Sequence, residues 1–318
     1  MRALLIVNPN ATSTTPAGRD LLAHALSSRV RLEVAHTTHR GHAAELARQA
    51  CDDGMGLIIV HGGDGTVNEV VNGLLGTPHP DSMRAVRVGP IPPIAVVPGG
   101  SANVFARSLG IAPDPVDATN QLIDLLSFRR KRTIGLAHCD NRWFTFNAGL
   151  GWDAQVCEAV DAHRTDGKPA SPARYVRAAV RSFFRTKGAE PTLRVEILGH
   201  EPVEGVHYCF VSNSSPWTFF DKREVHTNPG TSFDSGLGVF AMQTTSLIAT
   251  LRVTRQLLVR GAKPSAKKLF RVDDVPRIRV TATTPIGLQM DGDYIGLRSE
   301  AEFVFVPNAL DVVAPPGP

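Results

Sequence analysis

The sequence predicts an α/β plus β protein, with an N-terminal three-layer α/β/α domain built on a parallel sheet and a C-terminal antiparallel β-sandwich domain. Two observations lead to this prediction. Through the first third of the chain, apolar strand-like runs alternate with helix-like stretches, which is typical of a parallel sheet with helices on both faces. From Arg132 onward, short strand-like runs separated by Pro and Gly dominate, which is typical of antiparallel β structure.

Four strand-like runs predict the parallel strands, at Ala3–Val7, Arg31–His36, Gly56–Val60 and Ile94–Val97. Helices are expected to begin near Pro16, Ala43, Thr66, Ser101 and Asp114-Pro115. Thr66-x-x-Glu69 has the capping-box pattern, so the third helix is expected to start at about Thr66. Ser101 is expected to cap the next helix, which Gly110 closes.

The third strand leads into Gly62-Gly63-Asp64-Gly65-Thr66, in which three glycines surround one carboxylate. Glycines let the backbone turn tightly and approach a ligand closely. The helix that follows would direct the positive end of its dipole at a phosphate. This combination favours a phosphate and metal site, and the alternative is a tight turn with a chance acid.

Small, polar or glycine-rich turns follow all four predicted strands, at Asn8–Thr12, Thr37, Gly62–Asn68 and Gly99–Asn103. In doubly wound sheets the ligand lies outside the carboxyl ends of the strands. The four turns are therefore expected to converge on one polyphosphate. The chain has no GxxxxGK[ST] loop and no GxSxG elbow, which removes P-loop kinases and α/β-hydrolases as simple interpretations.

Composition and charge narrow the class of protein. The 318 residues include 34 Lys+Arg and 30 Asp+Glu, and this net charge of +4 is too small to indicate a nucleic-acid partner. Four cysteines without metal-binding spacing suit a reducing cytosol. No stretch approaches the roughly 20 apolar residues that span a bilayer. We expect a cytoplasmic protein, with peripheral association at the inner face of the membrane left open.

The later strands are predicted at Leu193–Leu198, Val206–Ser212, Leu237–Met242, Arg277–Ala282 and Glu302–Val306, with a further strand pair around the turn Asp140-Asn141. Trp217, Phe219 and Phe220 could line an apolar slot, although aromatic side chains more often form a core.

Three histidines lie close together in the sequence, at His36, His39 and His42. They lie across a strand end and a turn, so they do not share one face, and a metal site there is not favoured.

Basic residues cluster in two places. One stripe of a predicted helix carries Arg174, Arg177, Arg181 and Arg185 beside aromatic residues, and no acidic residue occurs from Ser235 to Arg271. An ordinary solvated face and contact with anionic lipid explain these stretches about equally well. The aromatic side chains beside the arginine stripe favour the membrane slightly.

Five motifs occur in order along nearly the whole chain: Asn8-Pro9, Gly62-Gly63-Asp64-Gly65-Thr66, Pro98-Gly99-Gly100-Ser101-x-Asn103, Asn147-Ala148-Gly149-Leu150-Gly151-x-Asp153-Ala154 and Met290-Asp291-Gly292-Asp293. Together they resemble the diacylglycerol kinase catalytic family, which includes bacterial soluble lipid kinases and the sphingosine and ceramide kinases. The resemblance implies an ATP-binding domain at 1–130 with a C-terminal return at 303–318. It implies a β-sandwich lipid-substrate domain at 131–302.

The resemblance also implies the site residues. The ATP contacts would be Asn8, Pro9, Asn10, Ala11, Thr12, Thr37, Gly62, Gly63, Asp64, Gly65, Thr66, Val67, Asn68 and Ser101. Asp64 would help to hold the catalytic Mg²⁺, and Asp293 would be the general base. A structural magnesium loop would take its ligands from Ser232, Ser235 and Leu237.

Three residues depart from the family pattern. Asp293 replaces a glutamate, so its carboxylate is one methylene shorter and must sit closer to the hydroxyl or act through water. Val104 stands where many bacterial members carry an aspartate. Ser235 stands where the structural magnesium loop has a carboxylate.

The expected activity is transfer of the γ-phosphate of ATP to the hydroxyl of a lipid, with diacylglycerol as the first choice of acceptor at the membrane surface. Anionic phospholipid headgroups and a second copy of the chain, in a homodimer, are left open as partners. Two alternatives remain. One is an NAD kinase-like phosphotransferase with a similar glycine-Asp-glycine loop, and the other is a lipid-binding protein impaired in catalysis.

Overall fold

The computed structural model describes residues 1–79, 90–151, 190–220, 223–259 and 263–317. The chain divides into two compact units. Unit 1 comprises Met1–Leu136, Asn141–Trp143 and Val306–Pro318, and unit 2 comprises Ala137–Asp140 and Phe144–Phe305. Unit 1 contains a parallel sheet and unit 2 contains antiparallel strands, which confirms the predicted fold class.

Unit 1 follows the predicted β-α alternation. Its elements are β1 (Arg2–Val7), α1 (Pro16–Ser27), β2 (Arg31–His36), α2 (His42–Asp52), β3 (Leu57–Gly62), α3 (Asp64–Leu75), β4 (Ile94–Pro98), α4 (Val104–Ser108) and α5 (Pro115–Ser127). The strand order is β4-β3-β1-β2, and all pairs are parallel. Near the end of the chain, Val312 adds beside Ile94 of β4, also in parallel.

The register of these strands brings their carboxyl ends to one edge of the sheet. Val7 pairs with His36 on one side and with His61 on the other, and Gly62 pairs with Pro98. The turns that follow the four strands therefore leave the sheet at the same edge. This is the convergence that the sequence predicts for a ligand site.

The predicted capping box at the start of α3 is wrong. The helix begins at Asp64, two residues before Thr66. The Glu69 carboxylate does not turn back on its own helix but accepts the N–H groups of Gly41 at 2.9 Å and Ala43 at 3.2 Å. Glu69 thus caps α2, and a negative charge at that N-terminus is stabilised by the helix dipole.

The prediction that Ser101 caps the helix after β4 is also wrong. Helix α4 begins at Val104, and the residue in the N-cap position is Asn103, which has a left-handed backbone with φ of 49° and makes no side-chain cap. By contrast, the cap at Asp114 is confirmed. Its carboxylate accepts the N–H groups of Val116 at 2.8 Å and Asp117 at 3.2 Å at the start of α5.

In the ranges that the structure describes, unit 2 consists of strands and one helix. Its elements, three of which (β5, β6 and β16) extend into unit 1, are β5 (Arg132–Cys139), β6 (Arg142–Phe144), β7 (Asn147–Leu150), β8 (Leu193–Ile197), β9 (Val203–Val206), β10 (Tyr208–Ser212), β11 (Thr218–Phe220), β12 (Arg223–Val225), β13 (Leu237–Met242), α6 (Leu247–Leu257), β14 (Leu269–Val275), β15 (Arg277–Met290) and β16 (Asp293–Val312). The main path runs β14-β13-β10-β7-β15-β16, with antiparallel neighbours. The predicted pair around Asp140-Asn141 is confirmed, since β5 pairs with β6.

Unit 2 folds over one shared apolar core. The first half of β15, from Ile278, pairs with β8, whereas its end, from Leu288, pairs with β7. Val195 of β8, Val211 of β10 and Val239 of β13 belong to one buried cluster. Strands from both parts of the bent sheet therefore face each other across this core, as in a sandwich.

Several sequence expectations concern residues outside the described ranges, including the arginine stripe at 174–185 and Asp153-Ala154. Within those ranges, no helix is long and apolar enough to cross a membrane. No group of three His, Cys, Asp or Glu in the described part is placed to hold a metal ion.

Trp217 stacks on Phe210 with ring centroids 5.0 Å apart. This contact favours the alternative in which Trp217 belongs to the core.

Candidate active site

The turns after β3 and β4 contact each other through their glycines. A Cβ atom on Gly100 would lie 2.7 Å from the Cα of Gly63, and one on Gly62 would lie 2.7 Å from Oγ1 of Thr66. Side-chain carbons essentially never approach other atoms this closely. Glycine is therefore required at position 100 by the contact between the two turns, and at position 62 by the packing of Thr66 within its own turn. Gly65 differs, because a Cβ there would meet nothing within 4 Å.

This difference predicts opposite effects of two alanine substitutions. Gly100→Ala is expected to lower the free energy of unfolding by about 1–3 kcal/mol, because the new methyl group forces the two turns apart. Gly65→Ala, in the first turn of α3, is expected to leave it unchanged or to raise it by about 0.5–1 kcal/mol. Urea unfolding of the two variants measures the difference. Equal stabilities would show that the turns do not depend on this close contact.

Asn8 connects the turn after β1 to the turn after β3. Its Nδ2 atom donates to Oγ1 of Thr66 at 3.1 Å, and its Oδ1 atom accepts the N–H of Asn10 at 3.0 Å. Further along the same turn, the N–H of Ser13 donates to the carbonyl of Gly99 at 2.8 Å. Three of the four predicted strand-end turns are thus held together by direct hydrogen bonds.

His61 lies at the base of this assembly and was not singled out from the sequence. Its side chain is buried, with Nδ1 at 3.2 Å from the carbonyl of Val97 and Nε2 at 3.3 Å from Oγ1 of Thr14. A carbonyl can only accept, so Nδ1 carries the hydrogen and Nε2 accepts from the threonine hydroxyl. Burial lowers the pKa of His61, so the imidazole is neutral at pH 7 and serves as a structural connector between β3, β4 and the first turn.

The Asp64 carboxylate caps α4, the function expected of Ser101. Oδ2 accepts the N–H of Val104 and Oδ1 accepts the N–H of Phe105, each at 3.0 Å. These two N–H bonds fix the orientation of the carboxylate. Mg²⁺ in kinases takes one or two protein carboxylates together with phosphate oxygens. The donor set at Asp64 fits such an ion.

The remaining implied ATP contacts divide into two groups. Thr37 directly follows β2, and its N–H donates to the carbonyl of Val7 at 2.9 Å, so it lies at the ligand edge. Pro9, Asn10, Thr12 and Ser101 are exposed in the turns, where Ala11 is half-buried.

Val67 and Asn68 instead face the interior of unit 1, and each is 1% exposed. The Asn68 amide donates to the carbonyl of Trp143 and accepts from the Arg142 guanidinium, both at 2.9 Å. Any contact between ATP and these two residues is therefore limited to their backbone, because their side chains are used within the fold.

In unit 2, Asp293 follows a tight hairpin turn. Met290 pairs with Asp293 across Asp291 and Gly292, which have φ values of 50° and 83°. Two successive residues with positive φ in a two-residue loop define a type I′ turn, and the Asp-Gly dipeptide is well suited to it. Asp293 is half-buried at the start of β16.

A buried carboxylate fixes this turn. Asp291 is 6% exposed, and its two oxygens accept the N–H and hydroxyl of Thr145 at 2.6 and 2.8 Å, the N–H of Phe146 at 3.0 Å and the N–H of Asn147 at 3.2 Å. Bonds of this kind to an ionised group are stronger than neutral ones. The position of the neighbouring Asp293 backbone is therefore tightly determined.

A second set of contacts holds the other side of the turn. The Gln289 side chain accepts the N–H of Gly292 at 2.9 Å and donates to Oδ1 of Asn147 at 3.0 Å. Asn147 in turn donates to the carbonyl of Trp217 at 2.9 Å. The sequence reasoning missed Gln289, although its partner Asn147 opens one of the recognised motifs.

The implied structural magnesium loop does not fit a cation. The Ser235 hydroxyl accepts the N–H of Ser232 at 2.8 Å and lies 3.2 Å from the Ser232 carbonyl. The nearby carboxylates are also occupied, since Asp274 accepts the N–H of Gly236 at 2.8 Å and Asp273 accepts from Asn228 at 2.8 Å. Hydrogen bonds within the loop satisfy these groups, including those at the predicted ligands Ser232 and Ser235, and Leu237 contributes only as the first residue of β13.

The fold and site together define a doubly wound α/β protein whose strand-end turns meet beside a helix N-terminus, joined to an antiparallel unit with a carboxylate at a hairpin turn. Residues 2–131 match the sequence model of the diacylglycerol kinase catalytic domain. A diacylglycerol kinase of Staphylococcus aureus is 26% identical over 325 residues, covering 99% of this chain and 92% of that protein. These matches confirm the resemblance carried by the motifs, and over residues 2–131 the chain is similar to the diacylglycerol kinase catalytic domain.

Solved structures agree with the fold. A crystal structure of a diacylglycerol kinase from Bacillus anthracis matches with a TM-score of 0.72 at 18% identity, covering 99% of this chain and 97% of the other. A second structure from the same organism has a TM-score of 0.76 at 21% identity, with the same coverage.

Proposed function

We propose that this protein transfers the γ-phosphate of ATP to the hydroxyl of diacylglycerol. The observation that carries the proposal is the assembly of hydrogen-bonded strand-end turns around the first turn of α3, with the oriented Asp64 carboxylate within it. The acceptor class follows the family model that residues 2–131 match and the name of the S. aureus relative.

Unit 1 would bind the nucleotide. The first N–H groups of an α-helix have no carbonyl partner within the helix, so α3 directs N–H donors and the positive end of its dipole at the edge of the sheet. Gly63 is half-buried and Gly65 is exposed, so neither places a side chain of its own over the backbone of this turn. These features suit the β- and γ-phosphates of ATP.

Asp64 would contribute the protein ligand of a magnesium ion, since its carboxylate is held in place by Val104 and Phe105. When bound, the ion supplies positive charge that stabilises the transferring phosphoryl group. The protein contribution is orientation, because the carboxylate is fixed before the nucleotide arrives and needs little reorganisation.

Unit 2 would supply the general base. Asp293 would accept the proton of the acceptor hydroxyl as the hydroxyl oxygen attacks the γ-phosphorus in line with the departing ADP. A general base must lie within about 2.6–3.2 Å of the hydroxyl oxygen, or act through one water. The shorter side chain of aspartate makes accurate placement of its backbone more important, and Asp291 and Gln289 provide that placement from both sides of the turn.

Removing the base tests this assignment. Asp293→Asn is expected to lower kcat about 10²–10⁴-fold, because the amide cannot accept the proton, while KM for ATP changes little. Asp293→Glu is the matched variant, since it keeps the carboxylate and restores the residue that the family pattern has at this position. An Asp293→Asn enzyme with full activity would show that another group accepts the proton.

The activity itself is tested with radiolabelled ATP. The full chain is incubated with γ-labelled ATP, Mg²⁺ and either diacylglycerol in detergent micelles or NAD, and the products are partitioned and separated by thin-layer chromatography. Label in the organic phase as phosphatidic acid supports the proposal. Label transferred to NAD in the aqueous phase would assign the protein to the NAD kinase-like alternative. Lipid binding without any transfer would assign it to the catalytically impaired alternative.

A further inference from the structure

Helix α6 is attached to unit 2 by one face only. Val253 is 3% exposed and belongs to a buried cluster with Phe210 and Phe240, and Leu257 packs against the same cluster. These residues lie four apart, so they occupy one side of the helix. The attachment leaves the opposite side of α6 facing solvent.

That opposite side is apolar. Leu247, Ile248 and Leu251 are exposed, with Ile248 at 81% and Leu251 at 60%, and the row continues past the end of α6 in the exposed Leu258 and Val259. At 100° per residue, Leu247, Ile248, Leu251 and Leu258 fall within about 100° of each other. Contiguous exposed apolar side chains of this kind mark an interaction surface. We call these five residues with Arg252 and Arg255 the α6 surface.

The α6 surface is also strongly basic. Arg252 and Arg255 are exposed on the same side of the helix, and Lys263, Lys267 and Lys268 are exposed in the segment that follows. No acidic residue occurs anywhere between Ser235 and Arg271. Within the ranges that the structure describes, none of these five cations forms an ion pair. The surface therefore combines apolar side chains with uncompensated positive charge.

The combination of apolar side chains and positive charge indicates which partner the α6 surface can bind. A second copy of the chain, docked by the same surface, would place like charges opposite each other. Nucleic acid would neutralise the cations, but it would leave Ile248 and Leu251 without an apolar partner. An anionic bilayer accommodates both features, because apolar side chains enter the boundary between headgroups and acyl chains while Arg and Lys contact phosphate groups.

We propose that the α6 surface is an interfacial anchor that docks unit 2 onto an anionic phospholipid bilayer. The proposal deepens the proposed function, since it names the surface by which the enzyme reaches a membrane that contains its acceptor. Docking itself requires neither ATP nor phosphoryl transfer. The two proposals can therefore fail independently.

The test is co-sedimentation of the full chain with vesicles of phosphatidylcholine alone or mixed with phosphatidylglycerol. The double variant Ile248→Gln/Leu251→Gln is expected to bind the mixed vesicles about tenfold or more weakly, because two side chains no longer leave water. Arg252→Gln/Arg255→Gln is expected to lose about fivefold in binding for each charge removed. The matched control is Leu21→Gln, whose leucine is likewise 60% exposed, on α1 of unit 1, and it is expected to bind as the wild type does.

Three results would overturn the proposal. They are wild-type binding that does not weaken as salt is raised, equal binding to vesicles with and without phosphatidylglycerol, and equal binding by the wild type and the Ile248→Gln/Leu251→Gln variant. Sedimentation velocity is run in parallel, and a wild-type dimer that this variant dissociates would assign the surface to a second copy instead.

Phosphoryl transfer to diacylglycerol in detergent micelles is measured for the same proteins, because this assay tests the proposed activity independently of docking on a bilayer. All four proteins are expected to phosphorylate micellar diacylglycerol at similar rates, since micelles do not require docking on a bilayer. Loss of vesicle binding with intact micellar transfer supports the anchor. Vesicle binding with the expected variant effects but no transfer by any of the proteins would refute the proposed activity and leave the anchor supported.

Discussion

An Asp64→Asn variant is expected to lose phosphoryl transfer by about 10³-fold or more. The amide removes the negative charge that would hold the magnesium ion. It also replaces one acceptor by an NH2 group, which would then face the N–H of Val104 or Phe105. Initial rates with ATP and diacylglycerol measure the loss, and urea unfolding measures any change in stability.

A second aspartate provides the control for the loss of the cap. Asp114 also accepts two backbone N–H groups at a helix start, but it belongs to none of the strand-end turns. Asp64→Ala and Asp114→Ala are each expected to lower the free energy of unfolding by about 0.5–2 kcal/mol, because alanine removes both cap acceptors. Only Asp64→Ala should lose transfer. If both variants lost it equally, weakened folding and not a missing metal ligand would explain the effect.

Asp291→Asn is expected to lower the free energy of unfolding by about 1–3 kcal/mol for each buried backbone N–H that loses its acceptor. An asparagine retains one acceptor oxygen, and its NH2 group would oppose the N–H groups of Thr145, Phe146 or Asn147. A buried donor without an acceptor is costly. Urea unfolding followed by tryptophan fluorescence provides the measurement.

The matched control is Asp140, which occupies an equivalent backbone position at an exposed hairpin turn. Asp140 has φ of 52°, close to the 50° of Asp291, and asparagine adopts this conformation as readily as aspartate. Its carboxylate pairs with Arg298 at 2.9 Å on the surface, a contact worth about 0–1 kcal/mol. Asp140→Asn should therefore change stability little. Equal effects at the two positions would show that burial of Asp291 is not what fixes its turn.

The sequence predicts the sheet of unit 1 well because periodicity and length are local properties. Runs such as Ala3–Val7 and Ile94–Val97 are apolar throughout, since both faces of a parallel sheet are covered, and each lies in the strand predicted for it. The order of the turns along the chain then predicts their convergence at one edge. The turn at Asp291-Gly292 is likewise predicted by a local sequence pattern, the Asp-Gly dipeptide.

The starts of α3 and α4 could not be predicted, because the carboxylates involved contact residues that are distant in sequence. Thr66-x-x-Glu69 satisfies a local capping rule, yet Glu69 lies beside Gly41, 28 residues away. Asp64 caps a helix that begins 40 residues later. Nothing local distinguishes these contacts from a capping box or from a serine cap at Ser101, so the tertiary alternative appears only in the folded chain.

The buried polar contacts of unit 2 could be predicted only in part, for a similar reason. Asp291 is recognisable within its motif, but its burial depends on Thr145, about half the chain away in sequence. The exposure of the apolar row on α6 could not be predicted either, because leucine and isoleucine at helical spacing are as compatible with a buried face as with an exposed one. Only the packing of Val253 identifies which side of that helix meets the core.

The two carboxylates of α3 have a consequence for the loops around the sheet edge. Because Asp64 starts α4 and Glu69 starts α2, neither Ser101 nor the residues before His42 are needed to begin a helix. Because a third helix caps both, exposed side chains such as Ser101 in the loops before α2 and α4 are not constrained by capping. Gly41, Gly100 and Asn103 remain constrained by their backbone conformation or packing. Substitutions in those loops can then retune ligand preference while the helices keep their starting points.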